Sequence, residues 1–435
     1  MRSFDLFSPA EAMAKFNAAL DEARRHRNFL TETVLTTRAH NRVLAQDVLS
    51  PTPLPEFRRS SVDGYAVRAA STPGVLRVIG EVKMGEMASM RVGMGEAAQV
   101  HTGGHVPEGA DAVLMVEQTT ALTARDAEPS SLRFEDIPRR TTKEERATKI
   151  QTGIKLNIGE NIIVAGEDLK KGDIAVNAGT RLREQEIAGL LSLGVTKIEV
   201  VKRPRVALIP SGDELVDVEL PTNLGQVRNT NQPMLAALVE RNGGEPILFD
   251  ILPDRREAFE VAAQRAMREA DLIVFMASSS VGERDFVPDV VNAMGKPGII
   301  AHGIRFRPGK PTLFAVCDGK PVFGLPGNPI SALVTALLFV QPTLWRIQYA
   351  TNAPQPNIIR ARLSEDVKSP KDLEQWLPVK LSNENLTKGS QPLALPISTK
   401  SNLIFGLVRA DGLAQIPISI DRISAGTEIE IRLFD

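Results

Sequence analysis

Between residues 203 and 349, short apolar runs alternate with stretches of helical spacing, and that alternation leaves little freedom in how the segment folds. Strand-like runs fall at 205–210, 246–251, 271–276 and 299–304. Between them, Asn231 is placed to cap a helix carrying Leu235, Leu238 and Val239 and ended by Gly243-Gly244; further helices fit 255–269 and 285–294. Asp318-Gly319 predicts a hairpin between 312–317 and 320–325, and a helix over 331–349 closes the unit. Such alternation builds a mostly parallel sheet covered by helices. Ligands of open α/β sheets sit beyond the carboxyl ends of the strands, so the loops there are where chemistry is expected.

The stiffest of these loops is Leu325-Pro326-Gly327-Asn328-Pro329-Ile330-Ser331. Proline fixes φ and glycine admits positive φ, so two prolines around Gly327-Asn328 make a pre-shaped turn. Ser331 then offers a hydroxyl at a helix start, where unpaired N–H groups and the dipole favour an anion. Alone, the loop fits an anion site and an ordinary strand–helix connection equally well. Three more strand ends add to it. Arg307 and Lys310 bracket the Pro308-Gly309 turn; Ser211-Gly212-Asp213-Glu214 follows 205–210; and a hydroxyl-rich loop with Ser280 and Gly282 ends at Asp285. Singly, each reads as a solvated turn. Together they predict an oxyanion or phosphate site with carboxylates able to hold a divalent metal.

The flanking segments differ in character. Ser8-Pro9-Ala10-Glu11 is a capping box, and Met13, Phe16 and Leu20 predict an amphipathic helix over 9–28. From 30 to 120 the chain reads as a β-rich module, and 119–150, with its run Arg139–Arg146, as an exposed charged excursion. Glycines near 159, 166, 172 and 179 suggest small hairpins before a helix at 184–193. After Pro354-Gln355-Pro356 the alternation is β-like to the end.

Lys+Arg 52 against Asp+Glu 53, with only two Trp and two Tyr, argues against nucleic acid and against anionic membrane surfaces as partners. The apolar stretches near 332–340 are interrupted too soon to suggest a membrane span, and no leader pattern opens the chain. Cys317 has no internal partner and reads as a core residue, which with the rest predicts a cytoplasmic protein. His101 and His105 flank Gly103-Gly104 and so are expected as loop histidines rather than a helical metal pair; His302 is expected as an ordinary strand residue.

Six motifs in order resemble the molybdopterin molybdenumtransferase family, the MoeA and gephyrin E-domain group. They are Ser61-Val62-Asp63-Gly64-Tyr65-Ala66, Thr102-Gly103-Gly104-His105-Val106-Pro107 with Gly109-Ala110-Asp111-Ala112-Val113, Gly166-Glu167-Asp168, Ser211-Gly212-Asp213-Glu214-Leu215, Pro308-Gly309-Lys310-Pro311 and Leu325-Pro326-Gly327-Asn328-Pro329. The resemblance implies a multidomain α/β and β protein. A central, mostly parallel α/β domain at 203–349 would bind molybdopterin and adenylate. A β-rich inserted domain would occupy 51–156, an elongated linker domain 1–50 plus 157–202, and a small C-terminal β-barrel-like domain 355–435. It implies a homodimer that inserts molybdate into adenylyl-molybdopterin with release of AMP and use of Mg²⁺, with other proteins of molybdenum cofactor biosynthesis as further partners.

By the same resemblance, Asp63, Thr102, Asp168, Glu214, Asp254, Asp285 and Lys310 are the expected catalytic residues, with Asp63 and Thr102 reaching in from the partner subunit. The pterin and oxyanion would be held by Ser211, Gly212, Asp213, Ser280, Gly282, Arg307, Pro308, Gly309, Pro326, Gly327, Asn328, Pro329, Ser331 and Ser401, and the metal by Asp213, Glu214, Asp254 and Asp285. Some positions depart from the family pattern. Ala277-Ser278 replaces a Gly-Gly pair, Arg307 a lysine and Asn229 an aspartate. Ile162–Ala165 stands where basic residues are usual, and Pro370–Trp376 where an arginine patch is. These departures leave a second expectation open: a paralogue of altered or lost activity acting as a dimeric binding scaffold.

Overall fold

A computed structural model describes residues 6–25, 29–122, 148–277, 286–382, 391–397 and 400–434. The chain divides into two compact units, Met1–Gln46, Ala178–Ile187 and Lys197–Asp435 in the first, Asp47–Asn177 and Ala188–Thr196 in the second.

In the first unit, helix α1 (Pro9–Arg24) starts on a reciprocal capping box: Ser8 Oγ accepts the Glu11 N–H at 3.2 Å and Glu11 Oε2 accepts the Ser8 N–H at 2.8 Å. The central sheet uses β1 (Arg205–Pro210), β2 (Glu245–Leu248), β3 (Leu272–Ala277), β4 (Pro297–His302), β6 (Leu313–Cys317) and β7 (Lys320–Pro326), with β5 (Phe306–Arg307) set apart. Its order is β2-β1-β3-β7-β6-β4. The first four strands are parallel, and β6 runs antiparallel to both its neighbours. The chain leaves β1 for β2 on one side and returns for β3 on the other, so the crevice beyond Pro210 and Ala277 is a topological switch point.

Strand alternation divides the core between two faces. Val206 and Leu208 bury against α1, α2 (Asn231–Arg241) and α5 (Pro329–Ile347), while Ala207 and Ile209 bury against α3 (Arg256–Glu269) and α4 (Val287–Ala293). Five phenylalanines bind the first face together: Phe16 lies 5.1 Å from Phe323, Phe314 lies 5.0 Å from Phe339, and Phe339 lies 5.6 Å from Phe306, ring centre to ring centre.

Helix α5 is not regular. Ala336–Val340 widen into a π turn, with the Gln341 N–H donating to Ala336 O. Pro342 supplies the reason: it has no N–H, and its ring would meet the carbonyl of Leu338 in a tighter turn. Sequence reading finds this apolar stretch too short to span a membrane. The helix is in fact 19 residues with a mean hydropathy of 1.5 over its most apolar window, yet 78% of that window is buried within the fold. Its apolarity serves the core.

The C-terminal strands are β8 (Ile358–Leu363), β9 (Glu374–Ser382), β10 (Leu393–Pro396), β11 (Gly412–Ile416) and β12 (Glu428–Leu433). They run β9-β10-β8-β12-β11, and β11 pairs back onto β9, closing a five-stranded barrel. Outside that closure β5 adds in parallel to β9, with Phe306 opposite Glu374 and Arg307 opposite Gln375.

The second unit holds a six-stranded sheet in the order Ala112–Met115, Gly64–Val67, Glu96–Val100, Gly74–Glu81, Lys149–Thr152, Thr120–Leu122. The last two strands pair at the ends of the stretch 119–150, so those ends are sheet rather than excursion. Arg139–Arg146 lies outside the described residues. Gly159, Gly166 and Gly172 do sit in positive-φ turns, but the hairpins expected around them do not form. Ile162–Ile163 pairs instead with Arg59–Ser60, and Ile174–Val176 with Val48–Leu49.

Gly64 is indispensable to this sheet: a Cβ there would stand 1.9 Å from Leu114 O in the adjacent strand. Gly64→Ala is therefore expected to cost at least about 2 kcal/mol, read as a lowered Tm with loss of amide protection in the strands on either side. Cys317 is fully buried in the first unit, and burial, aided by Asp318, pushes its thiol up to about 12. The folded protein is expected to leave it unmodified by iodoacetamide at pH 8, with alkylation appearing only on unfolding. Rapid native alkylation would contradict that placement.

Candidate active site

The carboxyl ends of β1, β3 and β7, the loop from β5 to β6, and the barrel edge enclose a cleft of about 1010 Å³. Its floor is the Arg307–Pro311 loop. Phe306, fully buried, anchors the start of this loop in the aromatic core, and Arg307 pairs across to the barrel. Gly309 has φ +125, and a Cβ there would fall 2.5 Å from Thr335 Cγ2 and 3.2 Å from Phe306. The Lys310 carbonyl accepts the Ile304 N–H at 2.8 Å and the Gly309 carbonyl accepts the Thr312 N–H at 3.1 Å. With its backbone so fixed, the loop presents Arg307 and Lys310 as two exposed cations lining the cleft.

Opposite them stands the start of α5. Asn328 is its N-cap residue, Pro329 occupies the first turn, and Ser331, 4% exposed, lines the cleft. The barrel reaches this turn directly: Asn328 Nδ2 donates to Ser401 Oγ at 3.0 Å, and the Ile330 N–H donates to Ser401 O at 3.1 Å. Asn231 Nδ2 donates to Gly327 O at 2.7 Å from the other side. A rigid turn, a helix dipole, two hydroxyls and two cations thus share one space, a donor set suited to a tetrahedral oxyanion.

Ser211 begins the third wall, at the switch point. It is 3% exposed, and its Oγ has no hydrogen-bond partner among the described residues; Asn231 Oδ1 and Gln375 Oε1, also in the lining, are buried and likewise unpartnered among them. Buried polar atoms are rarely left so, and three around one cleft point to a polar occupant. Glu214 lines the cleft, and Asp213 stands beside Asp254, whose N–H donates to Asp213 Oδ1 at 3.1 Å. These oxygen donors suit a hard divalent cation. Among the described residues, no set of three carboxylates, imidazoles or thiols converges into a metal site. The fourth expected ligand, Asp285, lies outside the described residues, as do Ser280, Gly282 and Ser278.

The remaining expected residues belong to the second unit. Asp63 heads the strand Gly64–Val67, where its carbonyl accepts the Val116 N–H at 3.0 Å and its Oδ1 accepts the Thr102 N–H at 2.9 Å. Thr102 is exposed on the turn that Gly103 completes at φ +79. Asp168 is exposed in a neighbouring turn of that unit, its N–H donating to Leu54 O at 3.0 Å. His105 is a packed loop residue, as expected: its Nδ1 accepts the Ala88 N–H at 3.3 Å beside Phe57. Burial, with Arg58 nearby, holds its pKa below the ordinary histidine value.

Several contributors were not foreseen. Asn231 does not cap α2, which Thr230 precedes; it clamps the Gly327 turn instead. Gln375 enters the lining through its pairing with Arg307, which no local sequence signal announces. Trp376, beside it, is half-buried in the wall, its Nε1 donating to Glu374 Oε1 at 2.7 Å. Asn229, where the family pattern has an aspartate, lines the cleft at 7% exposure and donates to Gln232 Oε1 at 3.0 Å, so it also ties the wall to the start of α2.

Comparison with known proteins agrees over nearly the whole chain. Residues 8–194 match the MoeA N-terminal region (domain I and II), 207–346 a family described as "probable molybdopterin binding domain", and 360–434 the MoeA C-terminal region (domain IV). A protein named molybdopterin molybdenumtransferase from Staphylococcus epidermidis is 29% identical over 402 residues, covering 90% of this chain and 88% of that protein. One of the same name from Staphylococcus aureus is 29% identical over 408 residues, covering 92% and 90%. Two crystal structures of the Pyrococcus horikoshii molybdopterin biosynthesis MoeA protein superpose over 99% of this chain and all of theirs, with TM-scores of 0.74 and 0.77 at 30% and 29% identity.

The tight seat of Gly309 gives a local test. In Gly309→Ala, strain and overpacking of about 1–3 kcal/mol are expected to fall on the loop. Hydrogen exchange should show the Ile304 and Thr312 amides opening about tenfold faster or more, with the second unit's sheet unchanged. Unaltered exchange at both amides would contradict the packing described.

Proposed function

The chain belongs to the MoeA family, and from that premise we propose that it is a molybdopterin molybdenumtransferase of molybdenum cofactor biosynthesis. It inserts molybdate into the dithiolene of adenylyl-molybdopterin and releases AMP. The observation that carries the reading is the cleft itself, in which Arg307, Lys310, Ser331 and Ser401 stand around the start of α5, and Ser211 Oγ, without a partner among the described residues, lies at the switch point. Both substrates are oxyanions. Lys310 and Arg307 would neutralise the charge that molybdate and the adenylate phosphate bring together, and fixed donors would hold their oxygens without reorganising. Trp376 and Leu373, both in the lining, shield one side from water and strengthen these interactions.

Asp213, Glu214, Asp254 and Asp285 would hold Mg²⁺ near the phosphate. When bound, that ion offsets negative charge on the phosphate oxygens. Glu214 in the lining and the Asp213–Asp254 neighbourhood support the assignment. The family resemblance supports a cytoplasmic homodimer in which Asp63 and Thr102 of one subunit complete the other's site, with Asp168 supporting that junction, and the four-domain division given above.

Lys310→Ala and Asp285→Ala are each expected to lower molybdate-stimulated AMP release at least about 100-fold while the purified protein keeps its oligomeric state. A mixture of Asp63→Ala and Lys310→Ala subunits is expected to recover activity that neither has alone, through heterodimers carrying one intact site. Full activity in Lys310→Ala would remove that residue from the site, and no recovery in confirmed heterodimers would contradict a site shared between subunits.

A further inference from the structure

The second unit contains a side-chain cluster in which Asp63 belongs to a family motif, while its neighbours His101 and Glu81 are explained by neither the motifs nor the cleft. Glu81 closes the strand Gly74–Glu81, Asp63 precedes Gly64–Val67, and His101 follows Glu96–Val100; these strands are neighbours, with Glu81 opposite Gln99 and Gly64 opposite Val100. Sheet register therefore brings the imidazole between two carboxylates. His101 Nε2 is 3.1 Å from Glu81 Oε1, and its Nδ1 is 3.5 Å from Asp63 Oδ1. That same oxygen accepts the Thr102 N–H at 2.9 Å.

The side chains grow more enclosed away from Asp63: Asp63 is 57% exposed, His101 33% and Glu81 26%. The backbone under the ring is fixed as well. The Gly104 N–H donates to His101 O at 2.8 Å and the Gly103 N–H to Ser60 O at 2.7 Å, while a Cβ on Gly104 would lie 2.8 Å from His101 O. An imidazole on an immobile backbone, oriented by a more buried carboxylate, has one direction left in which to aim its second nitrogen. That direction is Asp63.

We infer that His101 is a positioning residue for the transfer reaction: held by Glu81, it sets the orientation of the Asp63 carboxylate and, through the shared Oδ1, the placement of Thr102. A carboxylate with one oxygen bonded to the Thr102 N–H and 3.5 Å from an imidazole nitrogen is biased toward one orientation of the other oxygen, which is what an oriented site requires. The inference rests on the assignment of Asp63 and Thr102 to the active site.

Three substitutions separate this role from a structural one. An asparagine keeps a donor near the place of Nδ1, toward Asp63; a glutamine keeps one near the place of Nε2, toward Glu81; an alanine keeps neither. In steady-state assays of molybdate-dependent AMP release, His101→Ala is expected to lower kcat about tenfold or more, with KM for adenylyl-molybdopterin within about twofold. His101→Asn should recover most of that loss and His101→Gln should not, at similar Tm for all three. Equal rescue by both, or rates that simply follow Tm, would overturn the inference. An inactive Asp63→Ala beside a fully active His101→Ala would overturn it alone. A fully active Asp63→Ala would overturn it together with the assignment of Asp63.

Discussion

The cleft depends on one short pairing, that of Phe306–Arg307 with Glu374–Gln375. Two residues of the α/β domain act there as an extra strand on the barrel, while the Phe306 ring remains in the aromatic core of the sheet. The Arg307–Lys310 loop is thereby held from both sides, and the barrel is fixed where Ser401 can bond to Asn328 and Ile330. That pairing acts with the Ser401 bonds to hold the cations, the helix start and the barrel hydroxyl in one arrangement. A site that must hold two oxyanions together needs its charges placed before they arrive, because a mobile lysine or arginine loses rotamer entropy on each contact.

Much of this was legible in the chain. The β–α alternation gave the parallel sheet, because periodicity and turn chemistry are local properties, and the Ser8 capping box marked the start of α1 to the residue. The loops with opposed prolines and paired cations were also local, and they converge as their positions at strand ends require. What stayed hidden was non-local. Gln375 and Trp376 join the cleft by a pairing across about 70 residues of chain; the family resemblance aligns Pro370–Trp376 with an arginine patch, but no local signal sets this register. The helix over 331–349 was foreseen, but its π turn follows from packing around Pro342. His101 looked like an ordinary loop residue because its partners, Glu81 and Asp63, are brought to it by strand register rather than by spacing.

The departures from the family pattern become physical statements once placed. Asn229 lines the cleft yet is only 7% exposed and bonded to Gln232, and an uncharged amide is cheaper to bury there than a carboxylate. Leu373 and Trp376 put apolar surface on the barrel side of the cleft where the family carries an arginine patch, and its positive charge comes from Arg307, Lys310, Arg228 and Lys400 in the lining. Cations beside a drier wall bind an oxyanion well, since each interaction strengthens as water is excluded.

The central claim is that this cleft unites molybdate with adenylyl-molybdopterin, and the measurement that tests it most directly is AMP release by the purified wild-type protein with Mg²⁺, in the presence and absence of molybdate. The account predicts release that molybdate stimulates and that saturates with the adenylylated pterin. Absence of release from a protein that also fails to bind the pterin would contradict it.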